Sequence, residues 1–355
     1  AYIAGYRVGM IVAGAGALYL AAYWGSTAEI YSYEAWQKTY LCMAAVMLIG
    51  VLTTLLMPEP AQSPATDLNS STDRARLLLM FAISIGAFIL AFSSISPWTV
   101  QIAETLGGPI GGLISQIVRI SFSIAVATFF GYLSVRVGVV SSAVATTTWV
   151  APIRSFFSEH GVNTALLILA LIGLYRISDI VLGVMSNVFY QDMGFTKPEI
   201  ATAVKTFGVI ISIVGSFMGG FLANRYGIIR CLMWGGILAA GTNLAFIALA
   251  MLGHNLAGLY IVVGADNLAA GFASAAFVAF LSSLTQISFT AVQYAIFSSL
   301  MTLLPKTLGG YSGSIVDTVG YPTFFTITTL LGVPVLWLIY IISRRFEIED
   351  KAAGE

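Results

Sequence analysis

Thr164–Met185 reads TALLILALIGLYRISDIVLGVM. Its 22 residues suffice to cross a bilayer as a helix, which takes about 20. Near its middle stand Arg176 and Asp179. Three residues apart, they share a helix face and can reach one another. An ionisable side chain at that depth costs about 2.5–3.5 kcal/mol on insertion scales. A chain that carries two of them pairs them or uses them. The stretch decides the fold class: an all-α integral membrane protein with charges inside its spans.

The rest of the chain agrees. Of its 355 residues, 58% are hydrophobic and 9% charged, against about 25% charged in soluble domains. The mean hydropathy is +0.91. This excludes a soluble two-domain enzyme. Sixteen basic and sixteen acidic residues cancel, so nucleic acid is not a natural partner and the lipid bilayer is. Two cysteines, Cys42 and Cys231, give no disulfide framework or zinc spacing. Two histidines, His160 and His254, fall in expected loops. With so few ligands, no metal or other cofactor is expected.

Ten apolar spans follow from hydropathy: 2–23, 39–57, 77–96, 110–134, 164–186, 203–223, 229–252, 256–282, 291–313 and 322–343. Met57-Pro58-Glu59-Pro60 reads as a helix stop and 61–76 as a polar linker. Residues 135–160 read as an interfacial helix and linker, interrupted by Pro152 and charges. The chain opens without Met inside a helix in progress, which reads as a fragment of something longer.

Lys/Arg bias sets the expected orientation. One side collects Arg74, Arg76, Arg136, Arg154, Arg225, Arg230, Arg344 and Arg345, and the other only Lys38 and Lys197. The C-terminus and long linkers are therefore expected in the cytoplasm. On that orientation Asp179 and Lys205 lie about 10 Å, and Asp266 about 15 Å, below the outer surface. Lys306, after Pro305, lies in the outer half of its span. Beyond Arg230 at its cytoplasmic end the span 229–252 carries no charge, and 322–343 carries none. This pattern suits a bundle in which two helices face lipid and the others line a polar cavity. Pairing alone would account for any one of these charges, whereas four sites at one depth point to function. The cations Arg176, Lys205 and Lys306 suit substrate carboxylates. Asp266 has no cation in its own helical turn and is the better proton carrier; Asp179 is the second candidate, held ionised by Arg176.

A second motif is Gly219–Arg230, GGFLANRYGIIR. It resembles the loop signature of major facilitator transporters, Gly-x-Leu-x-Asp-Arg-x-Gly-x-Arg, with Phe221 at a usually small position and Asn224 in place of Asp. The resemblance makes Gly220, Asn224, Arg225, Gly227 and Arg230 a conformational-switch loop between helices eight and nine. The last six spans then become helices seven to twelve, 2–23 and 39–57 become five and six, and 77–96 with 110–134 an inserted pair. The family's first four helices would be missing. The domains so implied are 1–60, the end of the N-terminal half; 61–162, linker and inserted pair; 163–345, the C-terminal six-helix bundle; and 346–355, a cytoplasmic tail.

Seven stretches resemble AmpG-type muropeptide permeases within that superfamily: Gly5–Met10 (GYRVGM), Leu55–Pro60 (LLMPEP), Pro152–Phe157 (PIRSFF), Tyr175–Asp179 (YRISD), Asp266–Gly271 (DNLAAG), Ala275–Leu281 (AAFVAFL) and Phe289–Ala295 (FTAVQYA). The resemblance implies a secondary transporter, not an enzyme. It would import anhydro-muropeptides from periplasm to cytoplasm by proton symport, as a monomer in the bacterial inner membrane. It assigns Arg176, Asp179, Lys205, Asn267 and Gln293 to substrate; Lys306 stands where the family often has Arg, and Asp266 where it often has Glu. A carrier for another anionic solute, such as an acyl-CoA or a sugar–peptide conjugate, and an inactive fragment remain alternatives. Gly208, Ser212, Ser216 and Gly220 read as a helix-packing stripe.

Overall fold

The computed structural model describes residues 5, 6, 9, 10, 12–26, 31–57, 71–286 and 289–353. Arg7, the stop at 58–60 and linker residues 61–70 lie outside them. After a π-helical turn at Val12–Gly16 the helices are α1 (Ala17–Tyr23), α2 (Tyr33–Leu56), α3 (Ser71–Ser94), α4 (Ser96–Leu106), α5 (Gly108–Arg136), α6 (Ala151–Leu174), α7 (Ile177–Asp192), α8 (Val209–Tyr226), α9 (Ile228–Leu252), α10 (Leu256–Ser283), α11 (Thr290–Gly309) and α12 (Ser312–Ala353). Further π-helical segments lie at Thr146–Val150 and Ala201–Gly208.

Among the described residues eight helical segments are long and apolar enough to cross a membrane, where hydropathy expects ten. The two outside that set are the chain's first segment, only partly described, and α11. The 20-residue α11 carries Pro305 and Lys306 and a row of hydroxyl side chains, which lower its apolarity. The expected loop at 97–109 holds a helix, α4, started by Pro97 and ended at Gly107, whose φ of 66° suits glycine. His160 lies within α6, which bends at Gly161 (φ 69°) before entering the Thr164 stretch. α12 bends likewise at Gly320 (φ 76°) and runs past Ser343 to Ala353.

The chain forms two compact units. The first comprises residues 1–62 and 187–280. Its tightest seam joins α8 and the π segment before it to α10. A Cβ on Gly215 would overlap the Leu268 carbonyl oxygen, and one on Gly271 the Ser212 carbonyl oxygen. Gly219 meets the Phe272 carbonyl in the same way. Small residues let the backbones approach where no hydrophobic force drives helices together. The expected stripe is thus corrected at its end: Gly219 is the buried contact, while Gly220 is exposed with open space around it. A second anchor is the Phe189, Tyr190 and Phe246 cluster, with ring centroids 6.2 Å apart from Phe246 to each partner. In α2, Leu41, Met47, Ile49, Leu52 and Leu55 are exposed. Beyond the buried Ala35 and Thr39 at its start, so apolar and exposed a helix suits hydrocarbon.

The second unit comprises residues 63–186 and 281–355. Here α5 packs on α3 and α4, and α6 on α11 and α12. Gly173 of α6 faces Leu300 and Leu304 of α11, and Gly309 of α11 faces Val184 of α7. Ser178 donates to the Thr328 carbonyl of α12 at 2.6 Å, and Ser312 to the Val181 carbonyl at 3.1 Å. These two bonds pin the start of α7. Thr164 accepts from Arg345 at 3.1 Å, tying the end of the α12 span to α6.

Candidate functional site

The Thr164–Met185 stretch is not one helix. α6 ends at Leu174, Tyr175 and Arg176 form a turn, and α7 begins at Ile177. Backbone bonding continues on either side, from the Tyr175 N–H to the Leu171 carbonyl at 2.8 Å and from the Ile180 N–H to the Arg176 carbonyl at 3.0 Å. Arg176 donates through Nη2 to Asp179 Oδ2 across this interruption. Asp179 sits in the first turn of α7, where the positive helix end favours a carboxylate. The two side chains are 26% and 21% exposed, so neither is sealed into packing. Broken helices whose ends carry charge are a feature of transporter binding sites.

Lys306 belongs to the same unit. It is exposed on α11 and lines a cleft of about 470 Å³ with Ser299, Thr302, Leu303 and Thr307. These positions form one polar face of the helix. Among the described residues Lys306 has no ion-pair partner.

Gln293, expected at the substrate, is 2% exposed. Its Nε2 donates to the Pro152 carbonyl at 3.0 Å, and its Oε1 accepts from the Gln286 N–H at 2.9 Å. Gln286 in turn accepts from the Ser155 hydroxyl and donates to Glu159 at 2.5 Å. The arrangement is a clamp between the start of α6 and the segment leading into α11. Sequence reading missed Gln286, which carries no motif signal of its own.

In the first unit Lys205 lies, exposed, in the π-helical segment Ala201–Gly208. π turns leave one residue out of α-helical step and are frequent at functional positions. Asn267 on α10 donates to the Val263 carbonyl at 2.9 Å and lies against Gly208, at the end of that segment. Asp266 is half-buried and acts electrostatically on the Tyr190 hydroxyl. Tyr190 was not anticipated, since it falls at the helix end beyond the expected span. The π segment is preceded by Thr196–Glu199, where Glu199 Oε2 accepts from both the N–H and the hydroxyl of Thr196 at 2.8 Å. That is a capping box, legible in the sequence as Thr-x-x-Glu. Glu199 also meets His254 at 3.4 Å.

Of the expected switch loop, Gly220, Asn224 and Arg225 are exposed within α8, and Arg230 is exposed in α9. The connection is the single residue Gly227, with φ 90° and ψ 151°. No side chain tolerates that region well, so the motif's glycine is required by the turn itself. Arg225 lies over the Tyr226 ring at 5.6 Å.

No protein-family model matches the chain. Curated relatives do. The anhydromuropeptide permease of Escherichia coli K12 is 28% identical over 346 residues, 97% of this chain and 53% of the relative. A Rickettsia conorii protein named AmpG 4 is 26% identical over 344 residues, 97% of this chain and 64% of the relative. A Rickettsia bellii protein named AmpG 1 is 34% identical over 186 residues, 52% of this chain and 45% of the relative. The chain thus spans roughly half to two-thirds of the length of these relatives. Helical, with eight segments among the described residues long and apolar enough to cross a membrane, and aligned along nearly its whole length with two of these relatives, the chain is similar to the AmpG-type permeases.

Proposed function

We propose that this protein is a secondary active transporter that imports anhydro-muropeptides from the periplasm across the inner membrane by proton symport. The observation that carries the reading is the Arg176–Asp179 pair at the α6–α7 interruption, partly open and placed within an apolar span. A muropeptide offers carboxylates and amides. Arg176 suits bidentate contact to a carboxylate, while Lys205 and Lys306 serve as point charges and Asn267 as an amide partner. Asp266 takes up and releases the coupling proton, while Asp179 is paired with its arginine. The driving force is the proton gradient, and no resident cofactor takes part. The transporter works as a monomer with its C-terminus in the cytoplasm, as the arginine-rich loops favour.

The test is uptake of labelled anhydro-muropeptide into liposomes carrying the purified protein, with the outside acidified. The expected result is accumulation above equilibrium that collapses with a protonophore. Absence of accumulation, with an acyl-CoA or another anionic solute taken up instead, overturns the substrate. Uptake that ignores the gradient overturns the coupling.

A further inference from the structure

Arg119 belongs to neither set of candidate residues. Its Nε donates to the Phe92 carbonyl at 2.8 Å, and its guanidinium carbon lies 3.8 Å from the centroid of the Phe92 ring. These contacts fix the plane of the guanidinium. Among the described residues it has no ion-pair partner, and its two Nη groups have no hydrogen-bond acceptor. Beside it, where α4 meets α5, lies a cleft of about 450 Å³. That volume is in the range of small-ligand sites, roughly 300–1,000 Å³. The walls are fixed: Ser115 donates to the Thr99 carbonyl at 2.5 Å, and the Tyr311 hydroxyl to the Gly112 carbonyl at 2.6 Å. Two further polar groups line the cleft, Gln116 and Glu104. Gln116 Oε1 is sealed from solvent and so is not itself presented to a ligand. Glu104 is exposed on α4.

Arg119 and Glu104 complement one kind of ligand. The free Nη edge of Arg119 takes a carboxylate by two parallel hydrogen bonds. The Glu104 carboxylate takes an ammonium. One positive and one negative side chain leave the cleft neutral, which favours a ligand whose own charges cancel. Val100 and Ala103 leave an apolar wall for a small side chain. We propose that this cleft binds a zwitterionic amino acid or dipeptide, with its carboxylate on Arg119 and its ammonium on Glu104. The assignment does not depend on the transport reading.

The experiment is calorimetric titration of the whole protein in nanodiscs of phosphatidylcholine with alanyl-alanine, its C-terminal amide and its N-acetyl form. Saturable binding of alanyl-alanine is expected, with each blocked form about tenfold or more weaker. Arg119→Gln should abolish binding, whereas Gly220→Ala, with open space around it, should leave it unchanged. Glu104→Gln, at an exposed position that does not endanger folding, should weaken the free dipeptide and spare the N-acetyl form. Absence of saturable binding of alanyl-alanine to the parent protein overturns the proposal. So does equal loss in Glu104→Gln for free and acetylated peptide, or dipeptide binding that persists in Arg119→Gln. Displacement of the dipeptide when phosphatidylethanolamine is added to the nanodisc overturns it in favour of a lipid headgroup site.

Discussion

Arg176 donates to Asp179 across the interruption that separates α6 from α7, so the ion pair spans a helix break. The pair therefore both neutralises itself and holds the α7 start in shape. Asp179→Asn leaves the arginine cation facing a weaker acceptor and should cost about 1.5–3 kcal/mol of stability. The double variant Arg176→Gln, Asp179→Asn removes both charges and should recover part of that loss in thermal unfolding in detergent. Uptake should stay abolished in the double variant. Recovery of uptake along with stability would assign the pair to structure alone.

The α8–α10 seam gives a sharper structural test. Gly271→Ala places a methyl on the Ser212 carbonyl and Gly215→Ala one on the Leu268 carbonyl, both backbone atoms that cannot swing aside. Each should cost about 1–3 kcal/mol through forced separation of the helices. Gly220→Ala meets nothing and should be neutral or stabilising by up to about 1 kcal/mol, since glycine is a poor helix former. Equal unfolding temperatures for Gly220→Ala and Gly271→Ala would contradict this packing.

Much of this was legible in the chain, and the parts that were not have physical reasons. Hydropathy expects ten spans, and the eight that stand as long apolar helices among the described residues were within its reach because nonpolar length is an average property, insensitive to the detail of any turn. The same averaging hid the break at Tyr175 and Arg176, which lies within an unbroken apolar window. It also hid the π segment around Lys205, since a shift in hydrogen-bond step leaves composition untouched. α11 fell the other way: its polar face, with Ser299, Thr302 and Lys306, dilutes the hydropathy that made it a span by eye. Resemblance located Gln293 but not its partners, because Pro152 and Gln286 contribute backbone groups that sequence does not specify. The α8–α9 motif was read as a loop, whereas all but Gly227 is helix.

Gly227 carries that turn alone. With φ at 90° and ψ at 151°, Gly227→Ala puts a Cβ in a region essentially reserved for glycine, a strain of about 1–3 kcal/mol. Gly227→Asn should cost a similar amount, since asparagine tolerates left-handed helical backbone and not this region. Chemical unfolding should show both variants destabilised alike. If asparagine is tolerated and alanine is not, the turn is not held at this ψ.

Gln293 separates a clamp from a binding residue. Gln293→Leu keeps the volume and removes both hydrogen bonds, leaving the Pro152 carbonyl and the Gln286 N–H unmet. The expected loss is about 1–3 kcal/mol per group left buried, less where water enters. Unfolding temperature should therefore fall, with the KM for labelled substrate unchanged in the protein that remains folded. A tenfold rise in KM at unaltered stability would return Gln293 to the substrate.

The coupling role proposed for Asp266 has a direct test. Asp266→Asn removes the ionisable group and keeps the size. It should abolish accumulation driven by an acid exterior, while labelled and unlabelled substrate still exchange across liposomes without a gradient. If Asp266→Asn stops exchange and accumulation alike, Asp266 binds substrate or holds α10 in place, and the coupling proton travels elsewhere.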